Sequence, residues 1–312
     1  MTNKRQTVSS TSRSLLWCAL LTLLYIILIF VLPVNRVTMG HYHLLPFEYR
    51  LVASAIALPS IAVWFVAFWG YGKLYEYSQA IIKSKEGPHF NRMAIGSSWL
   101  AWSLPIVMIC SFTLTHLSNK WPTFHNTAII ISNYVSLIVP LVALAIISSA
   151  SSGLIGKARL NLSPKSVRYI MLLFLAVGVA YCFLIFRSLD LTSIASANNP
   201  YYLPVWLLIL TVIIPYLYAW FIGLLAAYEI TQFTINIKGL LYKRALQFLA
   251  IGLVVIIVSA IAIQYTSSVF PRTGVLVINE RLFLNLALHI LSGAGFIIMA
   301  IGANRLKKIE EV

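Results

Sequence analysis

From Ser14 to Leu32 the chain runs for 19 residues without a charged side chain. As an α-helix that length covers about 30 Å of hydrocarbon, at about 1.5 Å per residue. Hydrocarbon offers no water to bond the backbone, so each crossing segment must satisfy its N–H and C=O groups internally. Seven further apolar runs follow, and the pattern predicts eight helices over 14–32, 50–83, 92–116, 127–149, 167–186, 203–231, 243–266 and 281–304. Hydrophobic residues make up 60% of the chain and charged residues 10%, against about 45–50% and 25% in soluble domains. A membrane β-barrel would show short alternating segments instead. The expected class is therefore all-α and polytopic, with the lipid bilayer as its surroundings.

The apolar runs are not independent of one another. Pro59-Ser-Ile-Ala-Val-Trp64-Phe65 returns as Pro215-Tyr-Leu-Tyr-Ala-Trp220-Phe221, 156 residues later. At the same offset Tyr25-Ile-Ile-Leu-Ile-Phe30 matches Tyr181-Cys-Phe-Leu-Ile-Phe186. A four-residue shortening then moves the offset to 152, which pairs Arg92 with Arg244, Asn133 with Asn285 and Ile146 with Ile298. This predicts a duplication, with 1–155 as the first four-helix repeat and 156–312 as the second. Four helices is an even number, so both repeats enter from the same side. They are expected to be parallel copies about an axis along the membrane normal. Pro59 and Pro215 are expected to kink their helices, since each removes one backbone donor.

The net charge is +15. With the N-terminus inside, 17 of the 23 Lys and Arg residues fall on the inner side and six outside. That bias predicts cytoplasmic termini at both ends. It also accounts for the charge without nucleic acid, for which the chain has no recognisable motif. Ser14–Leu32 lacks an A-x-A-like exit and reads as a retained first helix.

Signatures of chemistry are sparse. Walker A, HExxH and GxSxG patterns are missing from the sequence, so no enzymatic activity and no cofactor are expected. Cys18, Cys110 and Cys182 sit inside apolar runs and read as small buried hydrophobes. His41-x-His43 lacks a nearby carboxylate or thiol, so no metal site is expected. Haem would need histidines on facing helices, and His116 with His289 is the one such pair, at unequal depths. Lys73 and Glu229 correspond under the 156-residue offset. They are expected to reach headgroups or water at the inner interface, with a cross-repeat ion pair as the alternative.

His289, one turn from Asn285 and matched by Asn133 on the fourth segment, suggests an outward-facing polar pocket between the repeats. The plainer reading is hydrogen bonding between helices for packing. Small residues at Ala145, Ser149, Gly153 and Ser292–Gly295 predict close helix approach. Two functions fit this sequence. One is a sensor or interaction module that binds a small, lipid-borne or protein partner between the repeats, passing movement to the long inner ends of the second, sixth and eighth helices. The other is a transporter for a small, largely uncharged solute.

Overall fold

The computed structural model describes residues 9–32, 37–39, 42–120, 125–155, 214–235, 239–273 and 278–310. Seven helices occupy most of these: α1 (Ser10–Val31), α2 (Pro46–Ala80), α3 (Gly87–Lys120), α4 (His125–Leu154), α5 (Ile214–Ile235), α6 (Leu240–Thr273) and α7 (Ile278–Glu310). A short antiparallel hairpin, β1 (Val37–Met39) and β2 (Tyr42–Leu44), joins α1 to α2, with Val37 opposite Leu44. The fifth predicted segment, 167–186, and the loop beyond it lie outside the described residues, as do Tyr181 and Phe186.

The helices begin and end where local chemistry allows. Ser9 caps α1, its Oγ accepting from Ser12 N at 3.2 Å. Such a cap satisfies one of the donors left free in the first turn. Glu48, expected in a loop, is in the first turn of α2 and accepts from Leu45 N at 2.9 Å. An acid there also suits the positive end of the helix dipole. Ile81–Glu86 then turns the chain, with Ser84 N bonded to Ile81 O and Gly87 N to Ser84 O. Pro59, Pro105 and Pro140 all lie within helices.

Five helical stretches are long and apolar enough to cross a membrane: Ser10–Val31, Pro46–Ala80, Gly87–Leu114, Leu240–Ser259 and Leu286–Ile309. Val139–Leu154 and Phe221–Ile235 are shorter apolar helices. With 35 residues, α2 is about 52 Å long, which exceeds the hydrocarbon thickness by about 20 Å. On α1 the exposed face is Leu16, Trp17, Leu20, Leu23, Leu24 and Ile27, while Cys18, Tyr25 and Ile29 are buried. Apolar side chains in that outward position suit lipid.

Successive helices pack on one another from α2 through α7, and α7 returns to α2. Six helices thus close a ring, and α1 lies against α2 and α3. The seams are tight where side chains are smallest. A Cβ on Gly252 of α6 would stand 2.7 Å from both Gly295 O and Met299 N of α7. One on Gly96 of α3 would stand 2.9 Å from Ala143 O and 3.1 Å from Ile147 N of α4. Backbones this close gain dispersion that lipid tails cannot supply, which is how membrane helices associate. Ala145 and Ser149 are buried, and the His89 ring presses on Gly153, in line with the expected close packing. Several described hydroxyls in these helices bond their own backbone, among them Ser103 to Leu100 O, Ser259 to Ile256 O, Ser78 to Tyr75 O and Thr234 to Thr231 O.

The two motifs singled out in the sequence meet between α1 and α2. Tyr25 stands edge-on to Trp64, centroids 5.7 Å apart, and edge-on to Phe112 of α3 at 5.3 Å. Trp64 is buried. The backbones of Pro215 and Trp220 are helical in α5, and their side chains lie outside the described residues.

Candidate functional site

The polar pocket expected from Asn133, Asn285 and His289 draws on α4 and α7. Among the described residues α4 packs mainly on α3 and α5, and α7 on α6 and α2. The side chains of Asn133 and Asn285 lie outside the described residues. His289 is half-buried on α7 and is not free of partners.

His116 is buried near the far end of α3. Its Nδ1 lies 2.8 Å from Phe112 O and its Nε2 3.3 Å from Tyr49 Oη. A carbonyl can only accept, so Nδ1 carries the proton, and Nε2 then accepts from the tyrosine. That assignment is inferred from the partners. The ring also lies 4.0 Å from the Phe112 ring. Both nitrogens are occupied, so the imidazole would have to break a bond before it could ligate anything. His41 lies outside the described residues, and His43 contributes its backbone to β2. Cys18 is buried and Cys110 half-buried, both as free thiols, while Cys182 lies outside the described residues. Among the described residues no group of three His, Cys, Asp or Glu could hold a metal.

The ionic chemistry gathers at the side of the bundle where α1 begins and α7 ends. Glu76, late in α2, accepts from Thr11 N at 3.2 Å and from Thr11 Oγ1 at 2.5 Å. Its Oε2 lies 3.2 Å from Lys307 Nζ of α7 and 3.5 Å from Lys73 Nζ one turn back. One carboxylate therefore ties together the start of α1, the end of α2 and the end of α7. Gly72 makes the crossing possible, since a Cβ there would stand 2.7 Å from Thr11 Cα. Beside this network Tyr77 of α2 and Tyr242 of α6 share a hydroxyl–hydroxyl bond of 2.8 Å.

Glu229 departs from the sequence expectation. It does not reach headgroups or water: it is 2% exposed, and both carboxylate oxygens accept from Ser152 Oγ, at 2.8 and 2.9 Å. The serine-rich end of α4 lies along α5 and encloses it, so a hydroxyl replaces water. Lys73, its counterpart by offset, is paired with Glu76.

Sequence reasoning gave Glu76 no role. The i, i+3 spacing from Lys73 was the one local signal. Its other partners are 65 and 231 residues away.

These features define a membrane-embedded helical protein whose described ionic contacts lie at one end of the bundle. No protein-family model, curated protein or solved structure matches the chain.

Proposed function

We propose that the chain is an eight-span membrane protein of two parallel four-helix repeats, 1–155 and 156–312, with both termini cytoplasmic. It acts as a sensor or interaction module whose partner, a small lipid-borne molecule or another protein, binds between the repeats.

The repeat reading is supported by equivalent packing in the two halves. Exchanging α2, α3 and α4 with α5, α6 and α7 turns each helix neighbour into another that the ring also contains: α2–α7 becomes α5–α4. Gly96 crosses Ala143 and Ile147 as Gly252 crosses Gly295 and Met299. The glycines are 156 residues apart and their partners 152 apart. The hydroxyl bonds of Ser103 and Ser259, and of Ser78 and Thr234, also correspond at 156. These pairs favour an offset of 156 through α3 and α6. The four-residue shortening then falls after those helices, so Arg92 corresponds to Phe248 instead of Arg244.

The sensor reading is carried by the Glu76 network. It links three helix ends on the side where α2 and α7 outrun the hydrocarbon, so a small shift at the α2–α7 seam would change contacts exposed to a cytoplasmic partner. The basic count in the sequence favours a cytoplasmic position for that side. A transporter is the second reading, favoured by the buried Glu229–Ser152 pair, because ionisable groups inside membrane bundles often line solute paths. Flux into liposomes discriminates the two. Purified protein is expected to add nothing to the entry of glycerol, urea or sucrose over protein-free vesicles. A saturable flux would replace the sensor reading with the transporter.

A further inference from the structure

We propose that the seam between α6 and α7 holds the headgroup of an anionic phospholipid, gripped by Arg244, Arg305 and Lys308. The proposal rests on the membrane reading of the chain and not on its sensor role.

Gly302 of α7 fixes the register of this seam: a Cβ there would stand 2.7 Å from Ala245 O and 3.1 Å from Phe248 Cβ. Three residues further along α7, Arg305 lays its guanidinium over the Phe248 ring, 4.6 Å from the centroid. Arg244 is one turn before Phe248 and shares its face of α6. The two arginines therefore stand at one depth on neighbouring helices. At about 100° per residue, Lys308 is about 60° around α7 from Arg305, whereas Lys307 is on the opposite face. Lys307 reaches Glu76 of α2 from there. The last turns of α7 thus send Lys307 to the α2 network and keep Arg305 and Lys308 off that side, with Arg305 on the α6 seam.

Arg244, Arg305 and Lys308 are exposed. Along α6 the sequence contains no acid, and on α7 none lies between Glu280 and Glu310. Below the cations the seam is apolar and faces lipid, with Ile251 and Ile297 exposed. Phe248 pins Arg305 against the helix, which reduces the freedom it loses on binding a phosphate. A free anion would meet the same cations but would leave the apolar seam unused. An anionic lipid satisfies both, with its phosphate on the guanidinium groups and its chains along α6 and α7.

The test is native mass spectrometry of the full chain in detergent, with palmitoyl-oleoyl phosphatidylglycerol and phosphatidylcholine supplied in equal amounts. The parent protein is expected to retain phosphatidylglycerol preferentially, and millimolar inorganic phosphate should not displace it. Each basic residue strengthens binding to an anionic surface by about fivefold. R244Q/R305Q/K308Q should therefore weaken retention by roughly a hundredfold. R13Q/K83Q/K85Q removes the same charge from exposed positions elsewhere on this side and should leave it within about twofold. Equal losses in the two triple variants, or none in the first, would overturn the site. Should R244Q/R305Q/K308Q misfold, R244Q/K308Q spares the Arg305–Phe248 contact and should still lose about twentyfold. Displacement by phosphate would mean that the site takes free anions and not lipid.

Discussion

Replacing Glu76 with glutamine keeps the shape of the side chain and removes its charge. The parent carboxylate is 12% exposed and accepts two bonds from Thr11 while pairing with Lys307 and Lys73. Hydrogen bonds to a charged group contribute about 1.5–3 kcal/mol, against about 0.5–1.5 for neutral ones. The two Thr11 bonds should together weaken by about 2 kcal/mol. The Lys307 pair is more exposed and adds about 0.5 kcal/mol. Glu76→Gln should therefore destabilise the protein by about 2–3 kcal/mol, and Glu76→Ala by about 1 kcal/mol more, since Thr11 N then loses its acceptor. Unfolding in mixed micelles of increasing SDS fraction, followed by tryptophan fluorescence, measures the difference. Raising salt from 0.1 to 1 M shortens the screening length from about 10 to about 3 Å. The Lys307 contribution should fade while the Thr11 contribution persists. A Glu76→Gln protein within about 0.5 kcal/mol of the parent would refute the idea that this carboxylate clamps three helix ends.

Three further outcomes are expected. Gly252→Ala forces a methyl against the α7 backbone and should cost about 1–3 kcal/mol in the same assay, as overpacking does; a neutral result would mean that the α6–α7 seam is looser than its geometry. Cysteines at Ser10 and Asn198, treated with an impermeant thiol reagent on intact cells, should label at 198 and stay protected at 10, and the reverse pattern would invert the topology. In an experimental structure Trp64 should fall on Trp220 and Pro59 on Pro215 after rotation by about 180° near the membrane normal, and halves that superpose only after inversion would refute parallel repeats.

The apolar runs made the described helices legible, because in hydrocarbon length and hydropathy leave one option. Ser14–Leu32 anticipates Ser10–Val31, and Arg281–Asn304 lies inside Ile278–Glu310. The errors fall at the ends, where polar residues continue the helix beyond the hydrocarbon and hydropathy loses its signal. Pro46–Tyr49 was expected to be loop, yet Pro46 suits a first helical turn and Glu48 caps it. Glu229 was misread for a different reason. Counting residues along a helix gives depth but not what stands beside it, and Ser152 comes from a helix 77 residues away. His116 was legible as a histidine within a helix, but its bond to Tyr49 bridges 67 residues. The pocket drawn from Asn133, Asn285 and His289 stays an expectation, because the side chains of both asparagines lie outside the described residues.

The closing of the ring by α7 against α2 has a consequence for biosynthesis. Lys307 emerges from the ribosome long after α2 has entered the bilayer, and until then α2 offers α7 an empty apolar flank. A chain stopped before α7 would keep the Thr11–Glu76 clamp and lack the seam that Gly70 makes with Phe296 and Ala300. α2 is thus fully enclosed only once α7 has docked, and an incomplete chain exposes it to whatever surveys the membrane for unassembled helices.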